Sequence, residues 1–154
     1  MSIMVPLDTS EVSRSALPRA AELAEALGES LLLVTVADRA TIEAIDELAY
    51  SEGDDPADVL ELNLRSRARM VDVPAETDVM VGEDAAAVIV DRADGNDVSM
   101  IVMATHGRTG ITRWRLGSVA ERVVRASTVP VLVVPAPWRV KQSQAASGGE
   151  RVGA

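Results

Sequence analysis

The chain contains no cysteine and no phenylalanine, and it has a single histidine, His106, and a single lysine, Lys141. Without thiols there can be no disulfide, no thiol nucleophile and no cysteine-bound zinc, and one histidine cannot build a multi-histidine centre. Metal held by protein ligands alone is therefore not expected. Aromatic residues make up only 2% of the chain, too few for the stacking platforms of a single-strand binder. A formal net charge of −9 with one lysine also argues against a general nucleic-acid binder, whose affinity comes from neutralising phosphates. No apolar run approaches the roughly 20 residues of a spanning helix, so no membrane partner is expected. The opening "MSIMVPLD" has neither a basic leader nor the apolar region of a secretory signal, and a cytoplasmic location is the expectation.

What is present suits one globular domain: 154 residues, 47% hydrophobic and 25% charged, enough to bury a core without staples. "SIMVPLD" has the length and apolar content of a buried strand ending at Asp8. A helix follows, with Thr9 or Ser10 as N-cap, Glu11 in its first turn, Gly28 as its stop and Pro18 as a site of kinking. "SLLLVTVAD" is continuously apolar, as a strand covered on both faces would be. From Arg39 to Asp72 the pattern loosens: "ATIEAIDELAY" reads as helical, "SEGDDPAD" as a break, and Pro56 as the first residue of another helix. "AETDVMVG", "VSMIVMA" and "VPVLVVP" read as strands three to five, separated by the helices "EDAAAVIVDRADG", ending at Gly95, and "SVAERVVRAS". This alternation indicates an α/β domain with a parallel sheet. Residues 138–154, rich in small polar residues and without period, are expected to form a disordered tail.

Asp8 and Ala104 each follow the carboxyl end of a strand, where open parallel sheets bind ligands if the strand order reverses there. After Ala104 comes "THGRTGITRWRLGSVAER". Between Ser99 and Val119 it holds Arg108, Arg113 and Arg115 and no acid, a local excess of positive charge in an acidic chain. Part of the stretch has an ordinary explanation. Ser118 to Glu121, "SVAE", fits a capping box, Gly107 and Gly110 suit positive-φ turns, and Trp114 suits a loop or dimer contact. Yet Gly117 and Ser118 stand at a helix start, where backbone N–H groups and the positive end of the dipole attract anions, and Gly117 has no side chain to obstruct a phosphate. The Walker GxxxxGK and dinucleotide GxGxxG patterns are absent. So is the lysine a receiver domain needs. A Ser-His-Asp reading of Ser118, His106 and Asp8 lacks the GxSxG elbow, and the HIGH-type and SGGxDS-type motifs of adenylyl transferases are missing.

The spacing Ala104, two residues, Gly107, nine residues, Gly117, Ser118 resembles the G-x2-G-x9-G-S/T motif of the universal stress protein family, UspA-type, in its ATP-binding members. "IMVPLDTSEVSRSAL" and "GSVAERVVRASTVPVLVV" are similar to that family's first strand and helix and to its last helix and strand, so the resemblance spans about residues 2 to 135. It implies a domain over residues 1–137 with an open five-stranded parallel sheet of order 3-2-1-4-5 and helices on both faces, Rossmann-like and similar to the adenine nucleotide alpha hydrolases. It implies ATP, with Mg²⁺, at the switch point between strands one and four, and a homodimer through the last strand, Val131–Val134. By position, Asp8 beside Pro6 would contact the ribose or adenine, and Val36 would address adenine through its backbone. Met103 and Ala104 would flank the nucleoside, while His106, Gly107, Gly117, Ser118 and Val119 would surround the phosphates.

One position departs from the motif. Ala104 stands at the first glycine, where a methyl would crowd the nucleotide, or cost backbone energy if the site needs positive φ. The expected function is a stress-response regulatory domain that acts through ligand-dependent conformation or partner binding. The alternatives are a dimeric interaction module without nucleotide, and a cyclic AMP binder. No base positioned to activate water is identifiable, so any ATP hydrolysis is expected to be slow.

Overall fold

A computed structural model describes residues 1–46, 53–105 and 116–135. The elements run β1 (Ser2–Pro6), α1 (Glu11–Arg14), α2 (Leu17–Leu27), β2 (Ser30–Ala37), α3 (Arg39–Asp46), α4 (Pro56–Ala68), β3 (Ala75–Val81), α5 (Ala85–Ala93), β4 (Val98–Ala104), α6 (Ser118–Ala126) and β5 (Val131–Val134). The five strands form one parallel sheet in the order β3-β2-β1-β4-β5, as the resemblance implies. The proposed tail lies outside the described residues.

Side-chain alternation divides the core between the two faces. Ile3, Val5, Leu31, Leu33 and Val102 pack on one face against Leu17, Ala20 and Ala24 of α2 and Leu64 of α4. Met4, Leu32, Val34, Val36, Ile101 and Met103 pack on the other against Ala86, Ile89 and Ala93 of α5 and Ala120 and Val123 of α6. With no phenylalanine in the chain, the contact is aliphatic, much of it against alanine. Small helix residues let the helices approach the branched side chains of the strands closely.

The strand β4 is not regular. Ser2 is opposite Val98 but Ile3 is opposite Met100, so Ser99 is an extra residue, a bulge. Beyond it the faces are exchanged: Val98 shares a face with Ile101 and Met103, while Met100, Val102 and Ala104 lie on the α2 side. The Ser99 hydroxyl is held by the Glu29 carboxylate.

The helix expected over Thr9 to Gly28 is two helices. Pro18 falls within the first turn of α2, where its missing N–H would have had no intrahelical partner anyway, so it starts a helix rather than kinking one. Gly28 ends α2 in the left-handed conformation, φ 67°, as a C-terminal glycine should. Pro56 opens α4 as expected, with Asp55 as N-cap accepting the Ala57 N–H at 2.9 Å. The helix α5 stops at Ala93, and Asp94 caps it. Gly95 serves space rather than φ, since a Cβ there would stand 2.9 Å from Asp97 Oδ1.

Charge pairs tie these layers at the surface. Arg92 donates from both terminal nitrogens to Asp97, each at 2.9 Å, with Asp78 3.5 Å from Nε. These hydrogen bonds hold the Asp97 carboxyl below the usual carboxylate range, and Arg122 does the same to Asp84. A carboxyl with a depressed folded pKa stabilises the fold above its unfolded pKa, and that contribution is lost as the pH falls through the folded value. The stability gap between wild type and Arg92→Met in urea is therefore expected to be larger at pH 7 than at pH 3, below the roughly pH 4 of a free aspartate. A gap that does not narrow at pH 3 would show that Arg92 acts only through packing.

Candidate functional site

The first strand ends at Pro6 opposite Val34, and Leu7 continues one step with its N–H donating to the Val34 carbonyl at 2.8 Å. Beyond that point β1 and β2 part. Backbone groups alternate sides along a strand as side chains alternate faces, so the N–H and C=O of Val36 point to the same side as those of Val34, where β1 no longer runs. On the other flank β4 ends at Ala104 opposite Val134. The helices that follow the neighbours β1 and β4 pack on opposite faces of the sheet, α2 on one and α6 on the other. A cleft of about 260 Å³ opens between the two strand ends, the crevice a reversal of strand order creates.

Of the residues singled out in the sequence, Pro6, Asp8, Val36, Met103, Ala104, Gly117, Ser118 and Val119 all line this cleft. His106, Gly107 and the loop arginines Arg108, Arg113 and Arg115 lie outside the described residues. Asp8 plays two parts. Its Oδ1 accepts the Ser10 N–H at 2.8 Å and the Ser10 hydroxyl, which fixes the turn into α1, and the residue faces the cleft as well. Ser13, nearly buried, braces this turn by donating toward the carbonyls of Asp8 and Ser10 at 3.1 and 3.0 Å.

The start of α6 corrects two expectations. Ser118 is not the N-cap: Gly117 is, and its carbonyl accepts the Glu121 N–H at 2.9 Å. The capping box does not form, because Ser118 is already helical and the Glu121 carboxylate accepts from Arg125 at 2.9 Å instead. Gly117 does not present a free N–H either, since it donates to the Thr105 carbonyl and so pins the helix start to the end of β4. The N–H groups preceding the first intrahelical bond are those of Ser118, Val119 and Ala120, and all three residues line the cleft. They carry the positive end of the helix. Gly117 has φ −59° and ψ 155°, a conformation any residue adopts, so the backbone does not require glycine there.

Ala104 does not carry the backbone cost expected of it. It is a strand residue, paired with Val134 and 7% exposed, so its position calls for no positive φ. Its methyl belongs to the core on the α2 face, whereas the apolar cleft floor of Val34, Val36, Ile89 and Met103 belongs to the other face.

Sequence reasoning missed Asp38, Thr41, Ala85 and Ile89, which also line the cleft. The rule that drew attention to Asp8, an acid at the carboxyl end of a strand, applies equally to Asp38 after β2. Ala85 and Ile89 become visible only once α5 is known to pack beside α6. Among the described residues no group of three or more His, Cys, Asp or Glu side chains gathers to hold a metal, and no helix is long and apolar enough to cross a membrane.

Residues 1–135 match the model of the universal stress protein family. The chain belongs to that family. Among its relatives, a universal stress protein of Methanocaldococcus jannaschii is 33% identical over 144 residues, covering 88% of this chain and 82% of the relative. A second universal stress protein of that organism, solved as a test case of structural genomics, superposes with a TM-score of 0.71 at 26% identity, covering 87% of this chain and 94% of that one. The universal stress protein of Archaeoglobus fulgidus, solved in complex with dAMP, gives a TM-score of 0.62 at 25% identity, covering 86% of this chain and 96% of that one. This universal stress protein thus shares with them the open sheet whose switch point forms the cleft.

Proposed function

We propose that this universal stress protein binds an adenine nucleotide in the cleft between β1 and β4, that the physiological ligand is ATP carried with Mg²⁺, and that occupancy regulates conformation or partner binding in a stress response. The observation that carries this reading is the convergence of an apolar floor with the amide N–H groups of Ser118, Val119 and Ala120. The floor suits a base and the helix start suits phosphates. About 260 Å³ lies just below the roughly 300–1,000 Å³ of small-molecule sites, so a nucleoside would fill the cleft and its phosphates would extend past Gly117. The dAMP held by the Archaeoglobus fulgidus relative supports the adenine class. Mg²⁺ would arrive on the phosphates, where the Ser118 hydroxyl could serve as a ligand.

The sheet edges support pairing of two copies through β5. At one edge β3 places the acids Glu76 and Asp78, which discourage strand addition. At the other, β5 is wholly apolar, with Leu132 41% exposed and Val124 of the adjacent α6 43% exposed.

The test is direct. Purified full-length protein, denatured and analysed by mass spectrometry, is expected to release an adenine nucleotide, and the stripped protein is expected to bind Mg-ATP with one site per chain in calorimetric titration. The absence of both released nucleotide and binding heat would sink the reading. Release of cyclic AMP, or its tighter binding, would replace ATP as the ligand.

A further inference from the structure

The cleft crosses the ends of three neighbouring strands, β4, β1 and β2. At a spacing of about 4.8 Å per strand, its two ends lie about 10 Å apart. The N–H groups of α6 stand at the β4 end and draw phosphates there, so on the nucleotide reading above the base occupies the β2 end. Val34, Val36 and Ile89 floor that end, and Asp38 stands over it, half-buried. Asp38 Oδ1 accepts the Thr41 N–H at 2.8 Å and so caps α3, while Oδ2 has no hydrogen-bond partner among the described residues.

An ionised carboxylate only accepts. Toward the edge of a base, the free oxygen attracts an amine hydrogen and repels a carbonyl oxygen. A 6-oxopurine held in the same orientation would put its carbonyl oxygen against the carboxylate, where a 6-aminopurine puts its amine. We propose that Asp38 is a specificity-determining residue that accepts from the exocyclic amine of a 6-aminopurine and disfavours 6-oxopurines. The inference rests on the nucleotide reading of the cleft and adds to it a residue and a direction of selectivity.

Calorimetric titration of the full chain with the Mg²⁺ complexes of ATP, ITP and GTP tests it. Wild type is expected to bind ATP about tenfold or more tightly than ITP or GTP, the size of one hydrogen bond to a charged group. Asp38→Asn retains an acceptor for the Thr41 N–H and turns an amide donor toward the base, so its preference is expected to shift toward ITP. Asp38→Ser, also a good N-cap, is expected to lose the preference while melting near wild type. An unchanged ATP-to-ITP ratio in both variants, or tighter binding of GTP by wild type, would overturn the role of Asp38 alone. If wild type binds none of the three, the nucleotide reading fails and the selectivity fails with it.

Discussion

Gly117→Val is expected to weaken Mg-ATP binding about a hundredfold, equivalent to about 2.7 kcal/mol, while the protein still folds. Gly117 lines the cleft immediately before the three N–H groups of α6, so a branched side chain there occupies the approach of the phosphates. Its backbone angles are open to valine. The fold loses only the difference between glycine and a β-branched residue at an N-cap, about 1 kcal/mol, or a melting shift of about 2–4 °C for a domain of this size. Calorimetric titration and thermal melting of the same preparation separate the two effects. Wild-type affinity in a variant melting close to wild type would remove phosphate from this end of the cleft.

Leu33→Ala is expected to act the other way, with a large loss of stability at a position remote from the cleft. Leu33 is fully buried in the middle strand pairs, opposite Val5 of β1 and Thr77 of β3. Its removal deletes apolar contact and leaves a cavity against α2, for which about 3 kcal/mol is typical, lowering the melting temperature by about 6–12 °C. The comparison should use nucleotide-free protein, because a ligand that binds only the folded state raises apparent stability. A loss below about 1 kcal/mol would mean that α2 collapses into the space.

These expectations depend on features legible in the sequence to different degrees. Apart from β3, which carries Glu76, Thr77 and Asp78, the strands are short and mainly apolar runs, and their order of appearance with the helices is readable from periodicity. Pro56 after Asp55 marked the start of α4 for a local reason, since proline at the first helical position and an acid before it satisfy the helix start by themselves. Pro18 also announced an interruption, but not its form. Whether a proline bends one helix or begins a second depends on where the preceding residues turn, and here Asp8, Ser10 and Ser13 close a compact turn around α1.

The start of α6 lies one residue before the position that its sequence pattern indicates. Ser118 to Glu121 has the spacing of a capping box, but the Gly117 N–H bonds to Thr105, a contact with the end of β4 that fixes where the helix begins. Local pattern had no access to it. The cleft was legible as two strand ends, Asp8 and Ala104, because the switch-point rule needs only topology. Its third side, Asp38 with α3, follows from the same rule applied to β2. The significance of Ala104 was not legible, because deciding which face receives its methyl requires knowing the parity of β4, and Ser99 changes that parity.

The bulge sets the frame in which the rest of that strand is read. Were Ser99 taken into regular alternation instead of bulging, Met103 and Ala104 would trade faces: a thioether chain would press into the space beneath α2 now filled by a methyl, and a methyl would leave a gap in the cleft floor. Both errors would arise from a change at a position that lines neither the cleft nor the α2 core. The bulge is therefore as much a determinant of the binding surface as the composition of β4: deleting Ser99 itself would only restore regular alternation between Val98 and Met100, whereas losing one residue between Met100 and Met103 would turn the cleft end of the strand over.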